Sequence, residues 1–479
     1  MSYGRRVIYS DATEITIENV AEEVRKAAVV HDSNRADIQR LYDYYRGKTD
    51  ILNKKKETRP EINHQINENR AYEIVSFYKG YTFGEPIQYV RRENAAQNEN
   101  DDSIAADINA LNGCMSDADK PACDIKLAEW MLTAGLGYRL TLPNVKWSAD
   151  GDEPSLKLYA LDPQKSFVVY SNTVDEHPMM GVCYGTRESN ERVYSVYTEN
   201  SYFEFTERDG EFSDVTATPH ALGMIPIIEY PLNNARLGVF EVVMPLLNAL
   251  DELQSNRMDD IVQFVNSFLA IMGGQLDDET YAKLNEWKTL CLPEGTDAKF
   301  LSPTLSQGDV QTLKDDIYQS ILTICGIPNR NGGSSTSDTG QAVELRDGWS
   351  SAETHAKAIE TIFKESEKRS LRLALRILRD TEGTKLKITD IDTHFTRRNY
   401  ENIASKAQVL ISTLNSGKIH PELCFAMSGA FIDPESAYLM SKTWMEEEER
   451  KLEEKQKKEQ EQNEDPGASE MPGVQQAAS

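Results

Sequence analysis

The sequence predicts an α+β protein, mostly helical, with one antiparallel β region set into the helical body. Apolar residues recur at three- and four-residue steps over long stretches, the period of an amphipathic helix. Between about 138 and 230 the pattern changes to short segments rich in β-branched and aromatic residues, separated by polar turns. Of the 479 residues, 39% are apolar, enough for a sizeable core. A domain size of about 150 residues predicts roughly three domains, or one body tied together by long helices.

Taken in order, 17–46 reads as helical, with Asp32 or Ser33 able to cap a segment carrying Ile38, Leu41, Tyr42 and Tyr45. A basic loop follows, with Lys54, Lys55, Lys56 and Arg59 ahead of Pro60. A second helix is expected over 64–80, a strand after Gly84, and helices over 100–113 and 122–134. Six strands fill the β region: 138–142, 156–159, 166–170, 181–184, 192–197 and 202–206. The strongest helical stripe starts after Asn233-Asn234 and runs from Phe240 to Met272, with Pro245 able to start or kink a helix. Its opposite face carries Glu241, Glu252, Asp259, Gln263 and Asn266. By frequency alone, such a polar arc is a solvated helix face.

A helix near 278–287 and strands at 289–292 and 298–301 are expected next, then a helix over 307–325. The Gly-, Ser- and Asn-rich run from Asn329 to Gly340 has the composition of a loop. A long helix over 342–380 follows, with Ala352, Ala356, Ile359, Phe363, Leu373 and Ile377 on its buried stripe. A strand pair is expected around 385–397. Two or three short helices fill 399–445, broken at Gly417 and Asp433-Pro434, and a solvated charged helix follows. The end, from Pro466, has the composition of a disordered tail.

Charge and motifs narrow the function. The 52 Lys+Arg stand against 78 Asp+Glu, a net charge of −26. That balance disfavours a protein gripping phosphate backbones over a wide surface, but not one past which nucleic acid must slide. A phosphate-binding loop needs a leading Gly five residues before its Gly-Lys-[Ser/Thr]. Gly47-Lys48-Thr49 ends correctly, but position 42 is Tyr, which disfavours a nucleotide-driven motor. Gly135-Leu136-Gly137 lacks the third glycine of a dinucleotide fingerprint, and neither G-x-S-x-G nor H-E-x-x-H occurs. Asp150-Gly151-Asp152-Glu153 lacks EF-hand spacing and reads as a polar turn. The six scattered cysteines form no C-x-x-C, so reduced thiols in an intracellular protein are expected, with no metal and no cofactor. No apolar run reaches membrane-spanning length, and the N-terminus has no apolar signal segment, so no membrane partner is expected. Scattered carboxylates leave a nuclease site open.

Several ordered motifs carry a resemblance. They are Tyr44-Tyr45-x-Gly47 with Ile51-Leu52; Lys79-Gly80-Tyr81-x-Phe83-Gly84-x-Pro86-Ile87-x-Tyr89; and Gly135-x-Gly137-Tyr138 leading to Leu161-Asp162-Pro163. His220-x-x-Gly223-x-Ile225-Pro226 with Glu229-Tyr230 and Asn233-Asn234, and Gly340-x-Ala342, complete the series. In this order and spacing, over about 36–450, they resemble the portal (head–tail connector) proteins of tailed double-stranded DNA phages, nearest the long-tailed siphophages of Gram-positive hosts. The resemblance implies a portal fold with this anatomy: N-terminal arm 1–35, wing 36–235, stem helix region 236–273, clip 274–306, second stem helix 307–327, tunnel loop 328–342, long helix and wing strands 343–398, crown 399–450 and tail 451–479.

It also implies a ring of twelve subunits at one capsid vertex, assembled in the host cytoplasm. The terminase large subunit would dock there and drive double-stranded DNA through the channel. Head-completion (adaptor) proteins would follow, with scaffolding and major capsid proteins as further partners, and the genome would leave by the same route. The portal itself would be no enzyme. On that mapping Glu252, Asp259, Gln263 and Asn266 are candidates to line the channel. Asp309, Asp315 and Asp316 rank lower because Lys314 mixes the sign. Arg330, Asn331, Gly332, Gly333, Ser334, Ser335, Thr336 and Ser337 would form the tunnel loop. Alternatives are a nuclease or motor subunit of the packaging apparatus, or a minor capsid protein.

Overall fold

The computed structural model describes residues 4–92, 101–188, 191–265, 268–272, 297–301, 307–329, 348–397, 403–431 and 434–463. After β1 (Ile8–Ser10) comes α1 (Val20–Tyr45), one unbroken helix. Its buried stripe, Val20, Val24, Ala27, His31, Asn34, Ile38, Leu41 and Tyr45, alternates steps of four and three. Asp32 and Ser33 lie exposed on the outer side of this helix and cap nothing. Two polar members of the stripe have partners. The His31 ring packs 4.5 Å from Phe167, and the Asn34 side chain accepts from and donates to the Arg6 backbone at 2.9 and 2.8 Å.

The chain continues through α2 (Arg70–Phe83), β2 (Gln88–Arg91), α3 (Asp101–Asp117) and α4 (Lys120–Ala134). The β region holds β3 (Leu136–Pro143), β4 (Leu156–Leu161), β5 (Ser166–Ser171), β6 (Pro178–Thr186), β7 (Arg192–Tyr197), β8 (Ser201–Arg208), β9 (Glu211–Pro219) and β10 (Ile227–Pro231). Then come α5 (Met244–Val265), β11 (Phe268–Met272), β12 (Asp297–Leu301), α6 (Gln307–Cys325), α7 (Trp349–Thr381) and β13 (Ile391–His394). The chain closes with α8 (Ile403–Ser416), α9 (Pro421–Ser428) and α10 (Pro434–Asn463).

The β region divides in two. A six-stranded sheet has the order β1-β5-β6-β7-β8-β9, with β1 parallel to β5 and every other pair antiparallel. A three-stranded sheet has the order β10-β3-β4. The larger sheet buries Phe167, Val182, Val196 and Phe205 in one core with Val20, Val24 and Ala27 of α1. β1 therefore ties the expected N-terminal arm into the sheet. The turn at Asp150–Glu153 joins β3 to β4. Gly135, which ends α4 at φ 82°, has a physical requirement: a Cβ there would stand 2.1 Å from the carbonyl oxygen of Arg236.

Three expectations are corrected. The stripe through Phe268 and Met272 does not continue the stem helix; α5 ends at Val265, and 268–272 forms β11, antiparallel to β12. The strand pair expected at 385–397 is one strand, β13, and its partner is β2, some 300 residues earlier. Glu241 is no member of a solvated arc. It is fully buried, and its Oε1 accepts from Arg5 Nη2 at 2.5 Å and from the Gly4 N–H at 3.2 Å. Pro245 sits in the first turn of α5, where its missing N–H costs nothing. The helix expected at 278–287, the strand at 289–292 and the loop from 330 to 342 lie outside the described residues.

An ion cluster sits where α7 crosses the smaller sheet. Arg139 on β3 is fully buried. It donates to Glu367 of α7 at 2.7 Å, to the Tyr230 hydroxyl at 2.7 Å, and to Asp124 of α4. Lys120 stands 3.2 Å from Glu367 and 2.5 Å from Asp124, and the Tyr89 hydroxyl donates to Glu367 at 2.6 Å. Two cations and two carboxylates balance. Burial alone would raise the Glu367 pKa, but Arg139 and Lys120 overcome it and hold the carboxyl well below the usual range. Five separated segments thus meet at one neutral cluster.

Candidate functional site

The paired helices α5 and α6 and the segment that straps them form the most elaborate polar assembly outside that cluster. Leu247, Leu250, Ile321, Leu322 and Cys325 share one apolar core. Further along, Arg257 of α5 donates to Gln307 at 2.8 Å and to Gln311 at 2.9 Å on α6.

Between α1 and α2 the chain makes one 3-10 turn, Asp50–Asn53, and otherwise runs without regular structure along α5. Such a segment must find other partners for its backbone donors. The helix supplies them from Asp251, Ser255 and Asp259, and Asn248 adds side-chain contacts; the four are spaced three, four and four apart and hence share one face. Asn248 accepts from the Tyr44 hydroxyl at 2.7 Å and donates to Asp50 at 2.9 Å. Asp251 accepts from the Thr49 hydroxyl at 3.1 Å and the Glu68 N–H at 2.9 Å. Ser255 Oγ accepts from the Ile66 N–H at 2.9 Å, and Asp259 accepts from the His64 N–H at 2.8 Å. The strap is thus stitched to the helix at four successive levels.

Charge concentrates at the far level. Lys54 and Lys56 each place Nζ 2.9 Å from Asp259 Oδ2, and His64 Nδ1 lies 2.8 Å from Oδ1. The Asp259 side chain is 0% exposed. Burial acts to raise its pKa, but the His64 N–H, Lys56 and Lys54 more than offset that and hold the carboxyl well below the usual range. Asp251 behaves oppositely: burial raises its pKa, and the Glu68 N–H and Thr49 hydroxyl only partly counter it. At the other end of the strap Glu68 accepts from Lys314 of α6 at 2.6 Å and from Arg70 at 3.0 Å. The Arg70 guanidinium stacks 4.4 Å above the Tyr318 ring.

The family model described as phage portal protein, SPP1 Gp6-like, matches residues 28–463. The chain belongs to this family. No curated protein matches it. Membership makes the chain a phage head protein with a structural role and implies a ring oligomer at the virion's capsid vertex. Among the described residues no helix is long and apolar enough to cross a membrane.

The portal's four candidate lining residues fare differently. Glu252 is exposed on α5, and Gln263 is half-buried. Asp259 is corrected: its carboxylate is covered by the strap and neutralised by Lys54 and Lys56, so it presents no free charge. Asn266 lies outside the described residues, as do Arg330, Asn331, Gly332, Gly333, Ser334, Ser335, Thr336 and Ser337. Asp315 and Asp316 are exposed on α6, while the neighbouring Lys314 is occupied by Glu68. The mixed sign that lowered their rank is therefore removed. The strap itself escaped sequence reasoning. The available signal was that Asp251, Ser255 and Asp259 are short acceptors at helical spacing, suited to receiving backbone N–H groups.

Proposed function

We propose that the chain is the subunit of a closed portal ring, twelve copies around a channel through which the terminase motor packages double-stranded DNA and the genome later leaves. The observation that carries this reading is the family match across 28–463, nearly the whole chain. The ring catalyses nothing; it guides DNA and offers the terminase, and afterwards the adaptor proteins, a docking face in the clip, 274–306. The segment 328–342 serves as the tunnel loop. Negative-stain micrographs of the purified protein are expected to show closed rings with a central hole. A protein that stays monomeric under all conditions would refute the proposal.

Charge supports the channel. Each phosphate neutralised by Lys or Arg releases counterions and makes the contact sticky and salt-dependent. A surface of unpaired carboxylates avoids this, and a ring repeats each one as a belt. Glu252, Asp315 and Asp316 are three of the five exposed acids of the helix pair assigned to that surface, the others being Asp260 and Asp309. Changing all three to Lys is expected to leave rings intact and to slow packaging in vitro, more at low salt than at high. Equal packaging rates at both salts would mean that these side chains do not face DNA.

A further inference from the structure

The last three helices lack a core of their own. α8 packs on α9 and α9 on α10, and among the described residues each helix's substantial packing is confined to the trio. Among their described residues only Cys424, Phe425 and Ser428 are buried. Large apolar side chains face outward instead. On α10, Met440 is 74% and Trp444 62% exposed, one turn apart on one face. On α8, Ile411 and Leu414 share a face and are 52% and 37% exposed. Three helices with so little internal burial do not offset the entropy of ordering themselves. Something must cover these faces.

The charges beside the two faces say what. Glu446, Glu447, Glu448 and Glu449 follow directly on the Met440/Trp444 face, and Glu447 lies on the same side of the helix as Trp444. From Ile403 to His420 there is no acidic residue; Lys406 is turned to α9, donating to the Gly429 carbonyl at 3.0 Å, while Lys418, two residues past the end of α8, is exposed. One chain therefore carries an apolar face with an acidic border and a second apolar face with a basic border. Two complementary patches at different places on the same chain make a head-to-tail contact, which closes into a ring when the rotation permits.

We infer that the Met440/Trp444 face of α10 docks on the Ile411/Leu414 face of α8 in a second copy of this chain. The inference rests on the ring reading above and assigns it one specific contact. The contact completes the core that the trio lacks and repeats at every subunit boundary. Opposite charge at the border fixes which face meets which.

The test uses the full-length chain and reads the oligomer distribution against concentration by native mass spectrometry and sedimentation. Met440→Ser with Trp444→Ser, both surface changes, is expected to raise the half-assembly concentration at least about tenfold, as loss of a buried aromatic anchor does. Glu447→Lys alone and Lys418→Glu alone are each expected to raise it about threefold, and the two together to restore it, because an exposed ion pair is worth up to about 1 kcal/mol. If wild type assembles and all variants assemble equally, the faces are covered by a different protein or by nothing. The inference then fails while the ring reading stands. If the single charge changes weaken assembly and their combination does not restore it, the two borders do not meet and the assigned pairing is wrong. A wild-type chain that is monomeric at every concentration removes the ring reading and this contact together.

Discussion

Replacing Arg139 with Met is expected to lower the stability of the folded chain by about 3–5 kcal/mol, the cost of leaving buried carboxylates without their cation. Asp124 and Glu367 both accept from this guanidinium, and so does the Tyr230 hydroxyl. Among the described residues Lys120 is the one remaining cation in contact with the two acids, and it cannot balance both. Arg139→Lys should recover only part of the loss, because a single ammonium cannot span three acceptors that the planar fork reaches together. The check is a denaturant midpoint at low and at high salt. Buried charges are weakly screened, so the loss should be nearly the same at both. An unchanged midpoint would mean that the cluster contributes nothing.

That cluster also marks the limit of what sequence reading can reach. Helices were legible where apolar residues recur at helical steps, as in α1, whose 4-3 stripe from Val20 to Tyr45 is apolar except at His31 and Asn34. The strands β3 to β8 were legible from their β-branched and aromatic residues and from the polar turns between them. Arg139 was not, because its counter-charges Asp124 and Glu367 lie 15 and 228 residues away. Only the fold brings them together. β11 failed for a different reason: Phe-Leu-Ala-Ile-Met suits either a helix or a strand, and the pairing with β12 that decides it is non-local. Of the candidate site, only Asp259 belonged to the polar face read from the sequence; Asn248, Asp251 and Ser255 did not. Nothing in a polar face states whether water, DNA or another part of the same chain will cover it, and here the strap covers Asp251, Ser255 and Asp259 while leaving Glu252 exposed.

Asp259→Asn is expected to loosen the strap from its far end. The variant keeps an acceptor for the His64 N–H but loses the charge that draws Lys54 and Lys56 inward. Hydrogen bonds to a charged group are worth about 1.5–3 kcal/mol each. Because both lysines can turn partly to water, we expect the loss of roughly one such bond. Amide protection over 54–66 should therefore fall by about tenfold to a hundredfold, with 67–69 less affected because Asp251 and Lys314 still hold Glu68. Acid should act in the same direction. The Asp259 carboxyl is held below its unfolded pKa, so its contribution is complete above about pH 4 and is lost as pH falls below that, toward the folded pKa. Asp251 has the opposite sign: its raised pKa favours the folded state below the ordinary carboxylate range, and that gain is lost as pH rises through the folded value. The two ends of the strap should consequently part company in acid, the Asp259 end opening first. Hydrogen exchange, compared as protection factors at pH 7 and near pH 3.5 in wild type and variant, reads both effects. Equal protection of 54–66 in the two proteins at pH 7 would show that the lysine–aspartate contact does not hold the strap.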